Sequence, residues 1–394
     1  MKEQSYPKVY SYSVYSILFM CSVFSATQGV FLTGFINQFH LESSAQGLMG
    51  SFQSLGSLLA LLVAAFLAGR MKKSTIMTLF FGLILLVSAF LGTVTIFSLL
   101  LLSFGLFGFF FGFIDTTGSS VMADIHTGRD ADKYMNMLHG VFGVGGLIAP
   151  PVLSFLMGRG LNWNQLYLII AGVMLLFFIL NLVISRICVP QLQNMKKEEV
   201  KKLNKADLLA FFKNKSCVLI LLALFFNGAQ QQGMNNWVTR YVSDFLKAPE
   251  FGALALSLFW VGTACARFFV PRLPLTPVQV VLFGNIGTAL AILIGVLSGN
   301  GLVVTICALL SGFLQGASLP MIITMGCRRS PGNTLMASTL LFLGMFIAYS
   351  LVGIVIATVA DWLNLSAGMA VCSVCSLIAA ALILPLRREE NKTA

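Results

Sequence analysis

Long apolar runs, separated by short polar breaks, dominate the pattern along this chain. Twelve are visible, at about 13–36, 45–68, 75–94, 96–121, 135–158, 163–188, 216–242, 252–271, 277–298, 301–326, 333–360 and 366–386. About 20 apolar residues in helical form cross the hydrocarbon of a bilayer. In that solvent a lone segment satisfies its backbone only as a helix. The pattern predicts an all-α integral membrane protein with twelve transmembrane helices. The first run exceeds a signal-peptide core and lacks a cleavage site, so it reads as a helix too.

Composition sharpens the picture. Of 394 residues, 57% are hydrophobic and only 10% charged, where soluble chains carry about 25%. The net charge of +11 would fit a nucleic-acid binder. Its distribution argues against one. Of the 25 Lys and Arg, only Arg159, Arg240 and Lys247 fall on the odd-to-even breaks; the rest gather at the termini and the even-to-odd breaks. That is the positive-inside asymmetry, and it places both termini in the cytoplasm. The eight cysteines are scattered, and Cys372 and Cys375, although closely spaced, read as small packing residues without a metal or disulfide role.

The one long polar stretch is 189–215, with seven lysines and three acids. It reads as a linker containing a short helix held on the membrane by Leu208, Leu209, Phe211 and Phe212. It divides the chain into six helices (1–188) and six more (216–394). The second and eighth runs are alike: GLMGSFQSLG and GALALSLFWVG open them, and Arg70 and Arg267 stand toward their ends.

Ionisable and amide groups inside the runs are the candidate chemistry, because hydrocarbon makes them costly. Asp115, in GFIDTTGSS, is the only carboxylate between Glu42 and Asp124. Asp124 reads as a helix-end acid facing headgroup water. On the fifth run, Asn136 and His139 lie one helical turn apart, at a depth similar to Asp115. An Asp115–His139 pair would suit the binding and release of a proton. Glycines 140, 143, 145 and 146 permit close packing, and Pro150-Pro151 should bend the outer end. The seventh run holds six amides in ten residues, among them Asn227, Gln230, Gln231, Asn235 and Asn236, followed by Trp237. Amides both donate and accept, as sugar hydroxyls require, and Trp237 offers a flat face for a sugar ring. Gly228 and Gly233 predict a break in this helix. Gln28, Gln53 and Gln315 add further amides.

Parallel six-helix repeats joined by a cytoplasmic loop resemble the major facilitator superfamily. Gly69-Arg70-Met71-Lys72-Lys73 stands where that superfamily carries a G-x-x-x-D-R-x-G-R-R loop; the bases are present and the acid is replaced by Gly69. The helix-5 stretch ends Ala149-Pro150-Pro151, unlike the Gly-Pro-x-x-Gly-Gly of the antiporters. Within the superfamily the chain is similar to the fucose permease branch of sugar:proton symporters. The similarity rests on GFIDTTG, on Asn136 and His139 with Phe142-Gly143, on Gln231, Trp237 and Tyr241, on Phe259-Trp260, Gly262 and Arg267, and on GFLQG followed by Pro320.

The resemblance implies two pseudo-symmetric six-helix bundles and alternating access. It implies proton coupling at Asp115 with His139, and substrate contacts from Gln28, Asn136, His139, Gln231, Asn235, Asn236, Trp237 and Gln315. Arg70 and Arg267 take gating roles. It also exposes departures: Gln28-Gly29 stands where the fucose type has a second acid, and Gln231 where many relatives have Glu. The expected substrate is a monosaccharide, with uncoupled diffusion and proton-driven efflux of amphipathic compounds as alternatives. No nucleophile–base constellation appears, so an enzyme is not expected. Nor are a metal, a cofactor beyond the proton, or a nucleic-acid partner. The expected setting is the bacterial inner membrane, beside lipid, as a monomer.

Overall fold

The computed structural model describes residues 5–40, 43–67, 70–195 and 205–387. Among these there is no strand. The helices are α1 (Tyr6–Val30), α2 (Leu32–Phe39), α3 (Ser43–Leu67), α4 (Lys73–Leu91), α5 (Phe97–Ile125), α6 (Gly128–Gly158), α7 (Trp163–Met195) and α8 (Lys205–Lys213). They continue with α9 (Lys215–Arg240), α10 (Pro249–Phe269), α11 (Pro277–Ser298), α12 (Gly301–Gln315), α13 (Ser318–Arg328), α14 (Thr334–Trp362) and α15 (Leu365–Ile383). Eleven helical segments of the described chain are long and apolar enough to cross a membrane, counting α12 with α13; α3 contributes a shorter apolar stretch, Leu48–Ala64. Their ends follow local rules. Asn214, Asn300 and Asn364 cap α9, α12 and α15 with their side chains, Thr276 and Gln279 form a reciprocal capping box on α11, and left-handed Gly299 closes α11.

The chain groups into two compact units, residues 1–127 with 141–203, and residues 128–140 with 204–394. Helix α6 is therefore shared: its first turns, expected from sequence to belong with the first six helices, group with unit 2. The expected linker is partly helical. Helix α7 runs on to Met195, and α8 occupies 205–213 with Phe211 buried and Leu209 and Phe212 exposed, as a membrane-surface helix would have them. Residues 196–204 and Gly69 lie outside the described residues.

Each unit is built on one glycine-lined helix pair, and the two pairs match. In unit 1, a Cβ on Gly56 of α3 would collide with the Gly105 carbonyl of α5, and one on Gly108 would collide with the Gln53 carbonyl. In unit 2, a Cβ on Gly262 of α10 would collide with the Leu309 carbonyl of α12, and one on Gly312 with the Phe259 carbonyl. A Cβ on Gly112 would stand 2.7 Å from the Ala60 methyl, and one on Gly316 2.9 Å from the Ala266 methyl. Even the hydroxyls repeat: Ser57 donates to the Gly108 carbonyl at 3.0 Å and Thr263 to the Gly312 carbonyl at 3.4 Å. Without a hydrophobic drive between helices in lipid, such close backbone approach is what holds them.

The same register corrects one expectation. Arg267 stands five residues past Gly262, so its counterpart is Leu61, five past Gly56, and not Arg70. Two further expectations on backbone shape change. Helix α9 is continuous through Gly228 and Gly233; their missing side chains admit Met345 and Tyr349 of α14 and Cys372 of α15 instead. The break falls in the tenth span, between α12 and α13. Helix α6 carries Pro150 and Pro151 without ending.

Gly312→Ala should lower the melting temperature of detergent-solubilised protein, by the equivalent of about 3 kcal/mol, since the added methyl meets backbone that cannot rotate away. Gly172→Ala, where nothing stands in the way, should leave it unchanged within about 1 kcal/mol. Equal effects would refute the close-approach account.

Candidate functional site

Helical periodicity sorts the amides of α9 onto two faces. Asn227, Gln230 and Gln231 are buried, whereas Gln232 and Asn235 are half-buried and Asn236 is exposed. On the outer face, Trp260 of α10 donates from Nε1 to Asn235 Oδ1 at 3.0 Å. Asn235 Nδ2 donates to Asn236 Oδ1 at 3.0 Å and Gln232 Nε2 to the same oxygen at 3.1 Å. On the inner face, Asn227 donates to Asn285 Oδ1 of α11 at 3.1 Å and is interhelical glue. Gln231 accepts from the Tyr349 hydroxyl of α14 at 3.3 Å.

Gln230 and Gln315 stand apart. Both are buried, and among the described residues neither amide oxygen nor amide nitrogen of either has a hydrogen-bond partner. An unpaired buried amide costs about 1–3 kcal/mol, which makes these two candidates for contact with a ligand or with water. Trp237 is elsewhere. Its ring lies under the Arg240 guanidinium at 5.5 Å, beside a cavity of about 360 Å³ whose wall also includes Asp244 and Asp361. There α9 passes into a π-helical turn at Tyr241–Phe245, a form enriched at functional sites.

Gln315 is the last residue of α12, at the break. A broken helix strands carbonyls in hydrocarbon, where each must find a donor. Arg267 supplies one, with Nε donating to the Gly316 carbonyl at 3.1 Å. Its Nη1 donates to the His139 carbonyl of α6 at 2.9 Å. So Arg267, buried within α10, ties the break to the first turns of α6. Arg328, at the end of α13, pairs with the buried Asp132 carboxylate at 2.9 Å and donates to the Gly128 carbonyl. Arg129 donates to the Leu273 carbonyl at 2.6 Å. Three arginines thus clasp residues 128–140 within unit 2. Asn136, fully buried there, donates to the Asp132 carbonyl at 2.9 Å, and its own oxygen has no partner among the described residues. The His139 ring lies 6.2 Å from that of Phe342.

In unit 1, Asp115 is half-buried on α5, flanked by buried Thr116, Thr117, Ser119 and Ser120, and close enough to Cys21 of α1 for its charge to act on the thiol. Gln28 of α1 is half-buried, with its amide nitrogen 3.3 Å from where a Cβ on Gly50 would stand. Asp124, expected to face headgroup water, instead pairs with Lys73 at 2.5 Å. Arg70 is exposed in the turn before α4. Asp115 thus belongs to unit 1 and His139 to unit 2. The cysteines are free thiols. No His, Cys, Asp or Glu cluster among the described residues is arranged to hold a metal.

The sequence profile of the Major Facilitator Superfamily matches residues 14–277. The chain belongs to that superfamily. Membership makes it a multi-pass membrane transporter rather than an enzyme. A TsgA homolog of Buchnera aphidicola (subsp. Schizaphis graminum) is 25% identical over 307 residues, covering 75% of each chain. Among solved structures, the E. coli fucose:proton symporter FucP superposes with a TM-score of 0.73 at 15% identity, covering 95% of this chain and 97% of that one. The human organic anion transporter MFSD10 superposes at 0.69 with 17% identity, covering 97% and 100%. One superfamily fold thus serves a neutral sugar in one neighbour and organic anions in another, so the fold alone does not choose a substrate.

Sequence reasoning passed over Tyr349 and Asn285 as members of apolar runs. Each is a polar side chain facing an amide of α9, and a search for lone Tyr or Asn within apolar spans would have found both. Gln230 and Gln315 should behave unlike Asn227. Gln230→Leu and Gln315→Leu remove unpaired amides and should keep or raise the melting temperature. Asn227→Leu strands Asn285 Oδ1 and should lower it, by the equivalent of about 1 kcal/mol. A fall in the Gln230 and Gln315 variants equal to that of Asn227→Leu would show that their amides are structural.

Proposed function

We propose that the chain carries a small neutral sugar across the bacterial inner membrane by alternating access, with both termini cytoplasmic and with uptake coupled to a proton. The observation that carries this reading is the pair of buried, unpartnered amides, Gln230 and Gln315, together with the amide face of α9. Uncharged groups that donate and accept at once match a polyhydroxyl ligand. A ligand that completes their hydrogen bonds repays their desolvation. Gln231 and Asn136 supply further amides, Gln28 serves from α1, and Asn235, Asn236 and Trp237 meet the substrate toward the outer end of α9. The likeness in fold to FucP, a fucose:proton symporter, supports the same substrate class.

Asp115 holds the coupling proton. A carboxylate on a membrane-spanning helix, among threonines and serines and beside a thiol, can change protonation as solvent access changes. His139 tunes the same step. Arg267 acts as a gate rather than a sugar ligand, because its Nε and Nη1 already hold two backbone carbonyls. For α6 to move against α10, the Arg267–His139 and Arg328–Asp132 links have to open. Arg70, exposed before α4, is the weaker gating candidate. Gln28-Gly29, standing where the fucose type has a second acid, favours one competing reading, an uncoupled facilitator.

The test is purified protein in liposomes enclosing a pH dye, given fucose, galactose, glucose and other neutral sugars in turn. Internal acidification with one sugar, abolished in Asp115→Asn while labelled-sugar exchange persists, is the expected result. Gln231→Leu and Gln315→Leu should raise the half-saturating concentration about ten-fold, the equivalent of one lost hydrogen bond near 1.4 kcal/mol. Sugar flux without acidification would establish the facilitator. Neither flux nor acidification with any sugar would overturn the substrate class.

A further inference from the structure

One cavity of unit 1 lies away from the candidate site, between α4 and α7. It is an open groove of about 720 Å³. The two helices are tied behind it, where Thr78 donates to Asn181 Oδ1 at 2.9 Å and Phe178 lies over Gly82 at 3.0 Å from where a Cβ would stand.

The groove is graded along its length. At one end it is lined by the exposed cations Lys72 and Arg186, with the hydroxyls of Ser74 and Thr75. At the other end the lining is leucine, including the half-exposed Leu86 and Leu175. Among the described residues no acidic side chain lines it. The neighbouring Lys73 is already paired with Asp124, whereas Lys72 and Arg186 face the groove. From Lys72 to Leu86 the helix rises about 20 Å, which spans the roughly 15 Å hydrocarbon depth of one leaflet and part of the headgroup layer. The charged end is the one that the positive-inside asymmetry turns to the cytoplasm.

From this we infer that the α4–α7 groove is a binding site for one anionic glycerophospholipid of the inner leaflet. Its phosphate sits between Lys72 and Arg186, its glycerol region meets Ser74 and Thr75, and one acyl chain lies along the leucines toward Leu86. Charge complementarity selects the headgroup, and the apolar gradient excludes a small anion. The inference is independent of which substrate the transporter carries.

Native mass spectrometry of the full-length protein, released from micelles supplied with phosphatidylglycerol, tests it. One tightly retained lipid per chain is expected. Each cation near an anionic phosphate contributes roughly a five-fold preference, so K72Q/R186Q should weaken retention about 30-fold. Both residues are exposed, so the variant keeps its fold, which its unchanged lipid-free melting temperature would verify. The matched variant K213Q/R387Q, which removes two exposed cations of unit 2, should retain lipid as before. Equal retention of phosphatidylcholine, equal loss in both variants, or loss in neither would overturn the site. Displacement by excess inorganic phosphate would reduce it to an anion site, and a dimer mass that disappears on lipid addition would assign the groove to a second copy of the chain.

Discussion

Hydrocarbon offers no hydrogen bonds, and this constraint shapes every part of the molecule. A polar group within the spans must be satisfied by the protein, by a ligand, or not at all. Continuous helices satisfy most of the backbone. Where a span breaks, as between Gln315 and Ser318, a buried arginine spends one donor on the buried Gly316 carbonyl. Where helices come closest, glycines let backbone meet backbone, and Ser57 and Thr263 bridge the remaining distance. Against this background, Gln230 and Gln315 stand out among the described residues as buried amides in which both the oxygen and the nitrogen lack a partner.

Arg267 shows how one side chain joins two separate elements. Its guanidinium is a fork of fixed donors that remains charged at any physiological pH. One arm holds the α12–α13 break and the other holds the first turns of α6. A change at either carbonyl is therefore felt at the other. The break lies beside Gln315 and the α6 turns carry His139 and Asn136, so one guanidinium joins the two segments. Coupling of this kind needs no long pathway, only a shared donor.

Much of the fold was legible from the runs, because a length of about 20 apolar residues is a direct image of bilayer thickness. The internal repeat was legible at Gly56 and Gly262, where spacing reflects packing. It misled at Arg70 and Arg267, because loop lengths drift while helix register does not. Glycines carry two meanings in sequence, permission to break and permission to approach. Gly228 and Gly233 proved to be the second kind, having Tyr349 and Cys372 against them. Asp115 was conspicuous because charge is rare in lipid. Tyr349 and Asn285 were not, since a partner from a distant span gives them their role and no local pattern announces it.

The repeat itself separates scaffold from chemistry. Gly108 and Gly112 answer to Gly312 and Gly316, so the residue between them that corresponds to Gln315 is Phe111. Counting on by the same register, Asp115 corresponds to Leu319, and Arg267 to Leu61. At each of these three positions one unit holds a polar candidate and the other an apolar side chain. At these positions packing is duplicated and the polar groups are not: Asp115 belongs to α5 of unit 1, and Gln315 and Arg267 belong to unit 2. A structure that kept its polar groups in symmetric pairs would offer the same site twice. The shared glycine register therefore records the packing constraint common to both units, and these polar residues record where the units differ.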